Sequence, residues 1–249
     1  MLETITAVTN PAVKRLKALL EAKGRKAENA FLVEGEVMIR EALGSGLNPK
    51  EALFENESKL IDELNGVPTR LCSRRVLEAV CDTVTPQGAV CAFELPKQTL
   101  MPADARLMLA LDGVQDPGNL GTILRTADAF CVPVALLDGC ADPYNHKTVR
   151  ASMGAVFRCP VWQCDAQEMH ELLMRSDLPL YGAALREDTM DARDVDYTRA
   201  ALAIGSEGRG LTEEVLALCD KTIRIPMSER CESLNAAIAA TVLLWEVYR

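Results

Sequence analysis

Residues 111–130, LDGVQDPGNLGTILRTADAF, put polar side chains at the junction of a predicted strand and a predicted helix. An apolar run ends at this point, and the apolar residues that follow recur at helical spacing. In open parallel sheets, ligands bind at the carboxyl ends of the strands, so Asp116, Asn119 and Arg125 are candidates for chemistry. A tight strand-to-helix turn explains these residues equally well, with the glycines serving the backbone and Arg125 pairing with Asp128.

Two further polar clusters follow predicted strands. In AIGSEGRGL, residues 203–211, three glycines leave backbone amides open to a ligand, but they do not stand in the GxGxxG order of a dinucleotide site. In IPMSERCESLNAA, residues 225–237, Ser233 is in position to cap the final helix. Asn235 follows in the first turn, where its amide needs hydrogen-bond partners. Both loops therefore supply candidates for a binding site.

Composition argues against several classes of protein. No basic segment followed by an apolar run opens the chain, and the longest apolar tract, residues 234–245, is too short to span a bilayer, so we expect a cytoplasmic protein without a membrane partner. Nine cysteines without a CxxC pair are typical of reduced thiols rather than of disulfides or a zinc site. The two histidines, His146 and His170, lack ligand-spaced partners, which predicts no metal site and no histidine-dependent hydrolase.

The net charge of −9 argues against a nucleic-acid partner, but the charge is unevenly distributed. Residues 10–30 carry six basic side chains against two acidic ones, a local charge of +4. The basic residues of this segment are Lys14, Arg15, Lys17, Lys23, Arg25 and Lys26. A local basic face binds phosphates, which makes these residues candidates for RNA binding; a solvated helix face is the alternative.

The order of predicted elements indicates two α/β domains. Asn10 and Pro11 begin an amphipathic helix, and alternating strands and helices continue to residue 94, which predicts a small domain over residues 1–94. Residues 95–106 contain two prolines and no periodicity, as a linker does. Strands and helices alternate again over residues 107–249, which predicts a mainly parallel sheet covered on both faces.

The second domain is expected to end in an unusually apolar helix. Its strands are predicted at residues 107–111, 134–137, near 161, 180–184, 202–204 and 222–225, and its helices begin near residues 119, 147, 166, 212 and 233. The final helix is apolar almost all round and needs cover on every side, so we expect a homodimer through this helix.

Three motifs of the second domain carry a family resemblance. DPGNLGTILRTADAF, IGSEGRGL, and IPM followed by ESLN stand in this order, and together they resemble the three motifs of the SpoU/TrmH family of RNA methyltransferases. The resemblance covers residues 107–249. More loosely, VEG at 33–35 and the strand after Gly88 resemble the amino-terminal substrate-binding domain of the family, and KTVRASMGAVF at 147–157 resembles its segment between the first two motifs.

The resemblance implies a fold and an activity. The fold is the SPOUT type, a parallel α/β domain whose carboxyl-terminal segment forms a deep trefoil knot, preceded by a small α/β substrate-binding domain. The activity is transfer of a methyl group from S-adenosylmethionine to a ribose 2'-hydroxyl of RNA, in a homodimer with the last helix at its interface. The amino-terminal domain favours ribosomal RNA as the substrate, with transfer RNA as the alternative.

The resemblance also implies roles for particular residues. The matching catalytic positions are Arg125, Asn119, Glu207, Ser233 and Asn235, the cofactor-binding positions are Gly205, Ile225 and Leu234, and Arg150 joins the basic residues of segment 10–30 as an expected RNA contact. Guanidinium rarely deprotonates, so our hypothesis is that Arg125 clamps a phosphate and favours the developing alkoxide, while a phosphate oxygen or water takes the proton. Glu207 would orient Arg125 or its loop, and Asn119 and Ser233 would hold the ribose and phosphate.

Two positions depart from the family pattern. Cys131 stands where glycine often ends the first motif, and Glu229 stands where glycine is more frequent in the third, which adds a negative charge to the cofactor loop. Two other functions stay open. Retention of Arg125, Glu207 and Asn235 argues against a non-catalytic RNA-binding protein on the same fold, and the order of the glycines argues against a nucleotide-dependent oxidoreductase.

Overall fold

The computed structural model describes residues 2–97, 101–102, 105–186, 189–228, 230 and 233–249. The chain divides into two compact units, one formed by Met1–Lys97 with Asp142–Phe157 and the other by Gln98–Ala141 with Arg158–Arg249. The predicted domains 1–94 and 107–249 differ from these units in the segment 142–157, which packs with the amino-terminal unit.

The amino-terminal unit is built on a mixed five-stranded sheet. Its elements are β1 (Thr4–Ile5), α1 (Pro11–Ala18), α2 (Ala22–Glu28), β2 (Ala30–Glu34), α3 (Glu36–Gly44), β3 (Pro49–Phe54), α4 (Leu60–Glu63), β4 (Thr69–Cys72), α5 (Arg74–Cys81) and β5 (Ala89–Glu94). The strand order is β1-β4-β3-β5-β2; β5 runs antiparallel to β2 and β3, and the other pairs are parallel. The prediction of a small α/β domain is therefore confirmed. The sequence did not predict the short strands β1 and β4.

The first helix begins as its sequence predicts but ends earlier. The Asn10 side chain caps α1 by accepting a hydrogen bond from the amide of Ala12 at 2.9 Å. The basic segment then forms two helices rather than one, with α2 crossing the end of α1. A Cβ atom added at Gly24 would lie 1.9 Å from the carbonyl oxygen of Ala18, so only glycine allows this close approach.

Arg25 and Phe31 hold the segment 142–157 in the amino-terminal unit. Arg25 is only 3% exposed, and its guanidinium donates to the carbonyl oxygens of Leu19 and Leu20 at 2.9 and 2.8 Å. The same group donates to the carboxylate of Asp142 from Nε at 2.9 Å and from Nη2 at 2.5 Å. The ring of Phe31 packs 5.0 Å from that of Tyr144. The expectation that Arg25 binds RNA was wrong, because its donors are already used inside the unit.

The carboxyl-terminal unit contains a seven-stranded sheet. The remaining elements of the chain are β6 (Leu107–Asp112), α6 (Pro117–Ala129), β7 (Val134–Leu136), α7 (His146–Ser152, which belongs to the amino-terminal unit), β8 (Val161–Gln163), α8 (Ala166–Ser176), β9 (Leu180–Ala183), β10 (Met190–Asp191), β11 (Ala200–Gly205), α9 (Glu213–Leu218), β12 (Lys221–Arg224) and α10 (Ala236–Tyr248). The strand order is β10-β12-β9-β11-β6-β7-β8, and every neighbouring pair in this sheet is parallel over the described residues. The predicted parallel α/β sheet is confirmed.

Two local features bear on the sequence motifs. Cys131, just after α6, has a φ of 54°, in the left-handed region that glycine adopts most easily, which explains a preference for glycine at this position. The final helix begins at Ala236 rather than near Ser233, and Asn235 is its cap, since Asn235 Oδ1 accepts from the amides of Ala237 and Ile238 at 2.9 and 3.3 Å. Ser233 is therefore not the capping residue.

Two predictions depend on residues that the structure does not describe or describes only in part. Glu229 lies outside the described residues. The segment between β12 and α10 is described only in part, so the trefoil knot stays a prediction. Among the helices of the described residues, none combines the length and the apolar character needed to cross a bilayer.

Replacing Arg25 tests its structural role. We expect Arg25→Ala to lower the free energy of unfolding by about 2–4 kcal/mol, because Asp142 and two carbonyl groups lose a charged donor. The adjacent, exposed Lys26 provides the control, and Lys26→Ala should change the value by less than about 0.5 kcal/mol. Urea denaturation followed by far-ultraviolet circular dichroism measures both. Equal stability of the two variants would contradict the structural assignment.

Candidate active site

The carboxyl ends of β6 and β11 lie side by side, and the loops that leave them carry the first two sequence motifs. Asp112, the last residue of β6, is paired in register with Gly205, the last residue of β11. After β6 the chain turns into α6, whose cap is Asp116: its Oδ1 accepts from the amide of Asn119 at 2.7 Å. This cap places Asn119 in the first turn of α6, at the edge of the sheet.

Asn119 connects all three motifs. Its Nδ2 donates to Oε1 of Glu207, in the loop after β11. Its Oδ1 accepts from Nδ2 of Asn235, the cap of α10, at 3.1 Å. An amide side chain has both a donor and an acceptor, so Asn119 can serve a carboxylate on one side and a second amide on the other. Three of the five expected catalytic residues thus form one hydrogen-bonded chain.

The expected cofactor positions line one cavity. A cavity of about 210 Å³ lies beside the Asn119 network and is lined by Gly205, Ile225 and Leu234, together with Glu207 and Ser233. Gly210, one of the three glycines of the second motif, also lines it. Its other walls come from residues to which the sequence analysis gave no role: Ala183, Ala184, Leu185, Ile204, Ser206, Ile223, Arg224, Met227, Ala236 and Ala239. Residues 183–185 lie at the carboxyl end of β9, and the rule that ligands bind at the carboxyl ends of strands would have found them.

The loop after β11 is closed on itself around Gly205. The amide of Ser206 donates to the carbonyl of Gly210 at 3.1 Å, and the amide of Gly210 donates to the carbonyl of Ser206 at 2.8 Å. A Cβ atom at Gly205 would lie 2.0 Å from the carbonyl carbon of Gly210. Glycine is required at 205 for this contact, whereas a Cβ atom at Gly208 would meet nothing within 4 Å.

Helices α6 and α10 run parallel, with their amino termini together at the site. Three side-chain pairs between them progress in the same direction along both helices: Asn119 with Asn235, Thr126 with Thr241 at 3.2 Å between hydroxyl oxygens, and Phe130 with Tyr248 at 5.1 Å between ring centroids. The positive ends of two helix dipoles therefore lie side by side, a favourable environment for negative charge.

Arg125 is exposed on α6 and does not line the cavity. Among the described residues it makes no hydrogen bond or ion pair. The alternative of a purely structural turn predicted that Arg125 pairs with Asp128, and this pair is not formed. Asp128 instead accepts a hydrogen bond from Arg158 at 2.8 Å. Glu207 accepts from Asn119, so the alternative that Glu207 orients the loop agrees with this contact.

The basic residues of segment 10–30 do not behave alike. Lys14, Lys17, Lys23 and Lys26 are exposed, as is Arg150 on α7. Arg15 is also exposed, but its Nη2 donates to both carboxylate oxygens of Glu51 at 3.1 Å, a carboxylate that also accepts from Arg70 at 2.6 Å. The lysines and Arg150 therefore keep their charge available to an RNA phosphate, and Arg25 does not.

Thiols near the sheet edge are neutral. Burial raises the pKa of Cys140 to about 11, and its thiol donates to the carbonyl of Leu111 at 3.1 Å. Burial likewise raises the pKa of Cys219 to about 11. Neither group supplies the thiolate that nucleophilic catalysis requires. Within the residues that the structure describes, no cluster of histidine, cysteine and carboxylate side chains is placed to hold a metal ion.

Comparison with known proteins gives consistent matches for both parts of the chain. Residues 106–245 match the SpoU rRNA Methylase family, and residues 10–91 match the MRM3-like substrate binding domain. The chain is 35% identical to the Bacillus subtilis 23S rRNA (guanosine(2553)-2'-O)-methyltransferase RlmP over 99% of both chains. It is 31% identical to human mitochondrial rRNA methyltransferase 3, over 89% of this chain and 68% of the human protein.

A solved structure extends the similarity to the fold. The crystal structure of an AdoMet-bound rRNA methyltransferase from Sinorhizobium meliloti superposes with a TM-score of 0.90 at 30% identity, covering 99% of this chain and 97% of the other. The similarity therefore includes both units.

The two glycines of the loop after β11 give a matched test of the cavity. We expect Gly205→Ala to weaken binding of S-adenosylmethionine by at least about tenfold, because the new Cβ atom forces the loop open at the cavity wall. Gly208→Ala should change the affinity by less than about threefold, since its Cβ atom enters open space. Titration calorimetry measures both, and similar affinities of the two variants would contradict the loop geometry.

Proposed function

Since this chain belongs to the SpoU rRNA methylase family, we propose that it transfers a methyl group from S-adenosylmethionine to a ribose 2'-hydroxyl of ribosomal RNA. The observation that supports this most directly is the contact of Asn119 with Glu207 and Asn235 beside a cavity lined by Gly205, which unites the three motifs in one site. Relatives named for ribosomal RNA favour that substrate over transfer RNA.

The cavity has the character that the cofactor requires. Its walls include Ile204, Ile225 and Leu234, apolar side chains suited to an adenine ring and an aliphatic chain, while the closed loop at Gly205 brings backbone groups to the wall. When bound, S-adenosylmethionine supplies an electrophilic methyl group on a sulfonium. The reaction forms the bond from the ribose oxygen to carbon, breaks the bond from carbon to sulfur and releases the hydroxyl proton.

The residues around Asn119 position the ribose in this proposal. Holding the hydroxyl in line with the methyl carbon supplies up to roughly 7–11 kcal/mol of the acceleration in favourable systems. Asn119 is held by Glu207 and Asn235, so its side chain has one fixed orientation, and Ser233 lies on the neighbouring cavity wall. The paired amino termini of α6 and α10 favour an anionic phosphate or the developing alkoxide.

Arg125 is the proposed catalytic cation. Its guanidinium is exposed on α6, six residues beyond Asn119, so it can clamp the phosphate next to the reacting ribose. A fixed positive charge there stabilises the alkoxide as the proton leaves to a phosphate oxygen or to water. Arg125 therefore acts as an electrostatic group rather than as a base.

A second copy of the chain completes the proposed enzyme. The face of α10 that is turned away from the sheet exposes Ile238, Val242 and Trp245, with Trp245 61% exposed. A contiguous apolar face of this kind is typical of a subunit interface. Thr126 of α6 contacts Thr241 of α10, and Arg125 is the residue before Thr126. Arg125 therefore lies beside the apolar face of α10. The proposed homodimer thus brings Arg125 to an interface, and we propose the cytoplasm as its location.

The proposed function is tested by incubating the protein with labelled S-adenosylmethionine and separate pools of ribosomal and transfer RNA. We expect label in ribosomal RNA, at a position where the backbone becomes resistant to alkaline cleavage. Arg125→Ala should lower turnover by ~100-fold or more with cofactor affinity little changed, because it removes charge stabilisation only in the transition state.

Arg175, exposed on α8, supplies the control for this experiment, and Arg175→Ala should keep full turnover. Equal losses of turnover and of cofactor affinity in Arg125→Ala would remove the catalytic assignment. Label in no RNA, or in transfer RNA alone, would overturn the proposed substrate.

The proposed dimer is tested by placing a charge on α10. We expect Trp245→Glu to sediment as a monomer at micromolar concentration, because a carboxylate in an apolar interface has no partner. Met174→Glu introduces the same charge at an apolar residue of α8 that is 70% exposed, and it should leave the dimer intact. Analytical ultracentrifugation distinguishes the two. A wild-type protein that sediments as a monomer would end this proposal.

A further inference from the structure

A second cavity, of about 280 Å³, lies in the amino-terminal unit, on elements that take no part in the site described above. It is formed by β2, α3, β5 and α7, and Leu20, Cys81 and Gln87 complete its lining. Its walls are mainly apolar and include Leu32, Val37, Met38, Val90, Val149 and Met153. Two of these are partly open to solvent, since Val37 is 72% exposed and Met153 is 57% exposed. The cavity is therefore apolar within and accessible at its rim.

One side of this cavity carries hydrogen-bonding groups in fixed positions. Glu34 and Gln87 both line it, and Oε1 of Glu34 accepts from the backbone amide of Gln87 at 3.0 Å. Gly35, with a φ of 88°, allows this approach: a Cβ atom there would lie 2.2 Å from Oε1 of Gln87. The VEG sequence at residues 33–35 thus holds a carboxylate and an amide at the cavity wall, and a carboxylate retains acceptor capacity beyond one hydrogen bond.

The opposite side of the cavity is provided by α7. Nδ1 of His146 is buried and has no hydrogen-bond partner among the described residues, although buried polar atoms usually have one. Burial lowers the pKa of His146; the charge of Asp82 opposes this shift, and the charges of Arg150, Lys147 and Arg25 add to it. The neutral imidazole has a donor and an acceptor nitrogen. Arg150 lines the cavity and is exposed, next to the exposed Lys147.

We propose that this cavity binds one unpaired base of the RNA substrate, with an amino-bearing base preferred over uracil. The inference rests on the proposed function, because it takes the ligand to be RNA. A base has two apolar faces and a polar edge, which match the apolar walls and the groups at Glu34, Gln87 and His146. The carboxylate of Glu34 accepts from an amino group, which uracil lacks. Arg150 and Lys147 stand where the flanking phosphates would pass.

The first test measures affinity for RNA with and without bases. The probes are fluorescent ten-nucleotide single strands of oligo(C) and oligo(U), and an abasic strand of the same length. We expect the full-length protein to bind oligo(C) at least about tenfold more tightly than the abasic strand, with oligo(U) between them. Val37→Trp fills the mouth of the cavity and should abolish the difference, whereas Val84→Trp, at a site 88% exposed in the same unit, should preserve it.

The second test locates the base. Carbon-13 labelled methionine methyl groups report on Met38 and Met153, whose signals are assigned with Met38→Leu and Met153→Leu. Both signals should shift on addition of oligo(C) and stay in place with the abasic strand, because an aromatic ring in the cavity changes the local field. His146→Phe keeps an aromatic ring but removes both ring nitrogens, and it should reduce the preference for oligo(C) over oligo(U).

Three results would overturn the inference: equal affinity for oligo(C) and the abasic strand, equal behaviour of Val37→Trp and Val84→Trp, or unshifted signals of Met38 and Met153. If the cavity were a docking site for a protein segment, oligo(C) and the abasic strand would bind with equal affinity. The outcome is separable from that of the proposed function. Base-dependent binding without methyl transfer to ribosomal RNA would overturn the function alone, and methyl transfer without base-dependent binding would overturn the cavity alone.

Discussion

The two hydrogen bonds of the Asn119 side chain are the interaction on which the site depends. They join the loop after β6 to the loop after β11 and to the cap of α10, three segments that are remote in sequence. Only an amide can do this without a charge conflict, because a carboxylate at position 119 would face Glu207 and a hydroxyl would be too short for both partners. Asn235 also caps α10. One residue therefore fixes both the start of the last helix and the geometry of the site.

This constraint explains why α6 and α10 are parallel. Their first turns are fixed together by Asn119 and Asn235, and the helices then continue side by side to Thr126 and Thr241. Parallel helices have unfavourable dipole alignment, and here the carboxylate of Glu207 accepts a hydrogen bond from Asn119 in the first turn of α6. An anionic ligand at this point would gain from the same field. The parallel arrangement of the two helices is therefore electrostatically unfavourable by itself. It would be favourable in the proposed site, which binds a phosphate and stabilises a developing alkoxide.

Sequence periodicity predicted six of the seven strands of the carboxyl-terminal sheet and missed the two-residue strand β10. It was insufficient for the composition of the two units. The alternation of strands and helices from residue 107 predicted the parallel sheet because each buried strand is a continuous apolar run. Nothing local indicated that the segment 142–157 packs with the amino-terminal unit, since Arg25 and its partner Asp142 are 117 residues apart. For the same reason charge counting placed Arg25 among RNA contacts. The motifs identified the residues of the site. Only the structure shows which atom of Asn119 contacts Glu207.

The distribution of charge has a consequence for how the chain recognises RNA. The net charge is −9, Arg25 is buried and Arg15 is paired with Glu51, so four exposed lysines remain as the available cations of segment 10–30. Phosphate contacts alone would give weak and strongly salt-dependent binding. Selection of one ribose in a large RNA then requires contacts that do not depend on net charge, and unpaired bases offer apolar faces and specific edges. In the proposed function, shape and hydrogen bonding would therefore supply the specificity, and the exposed lysines with Arg150 would orient the strand.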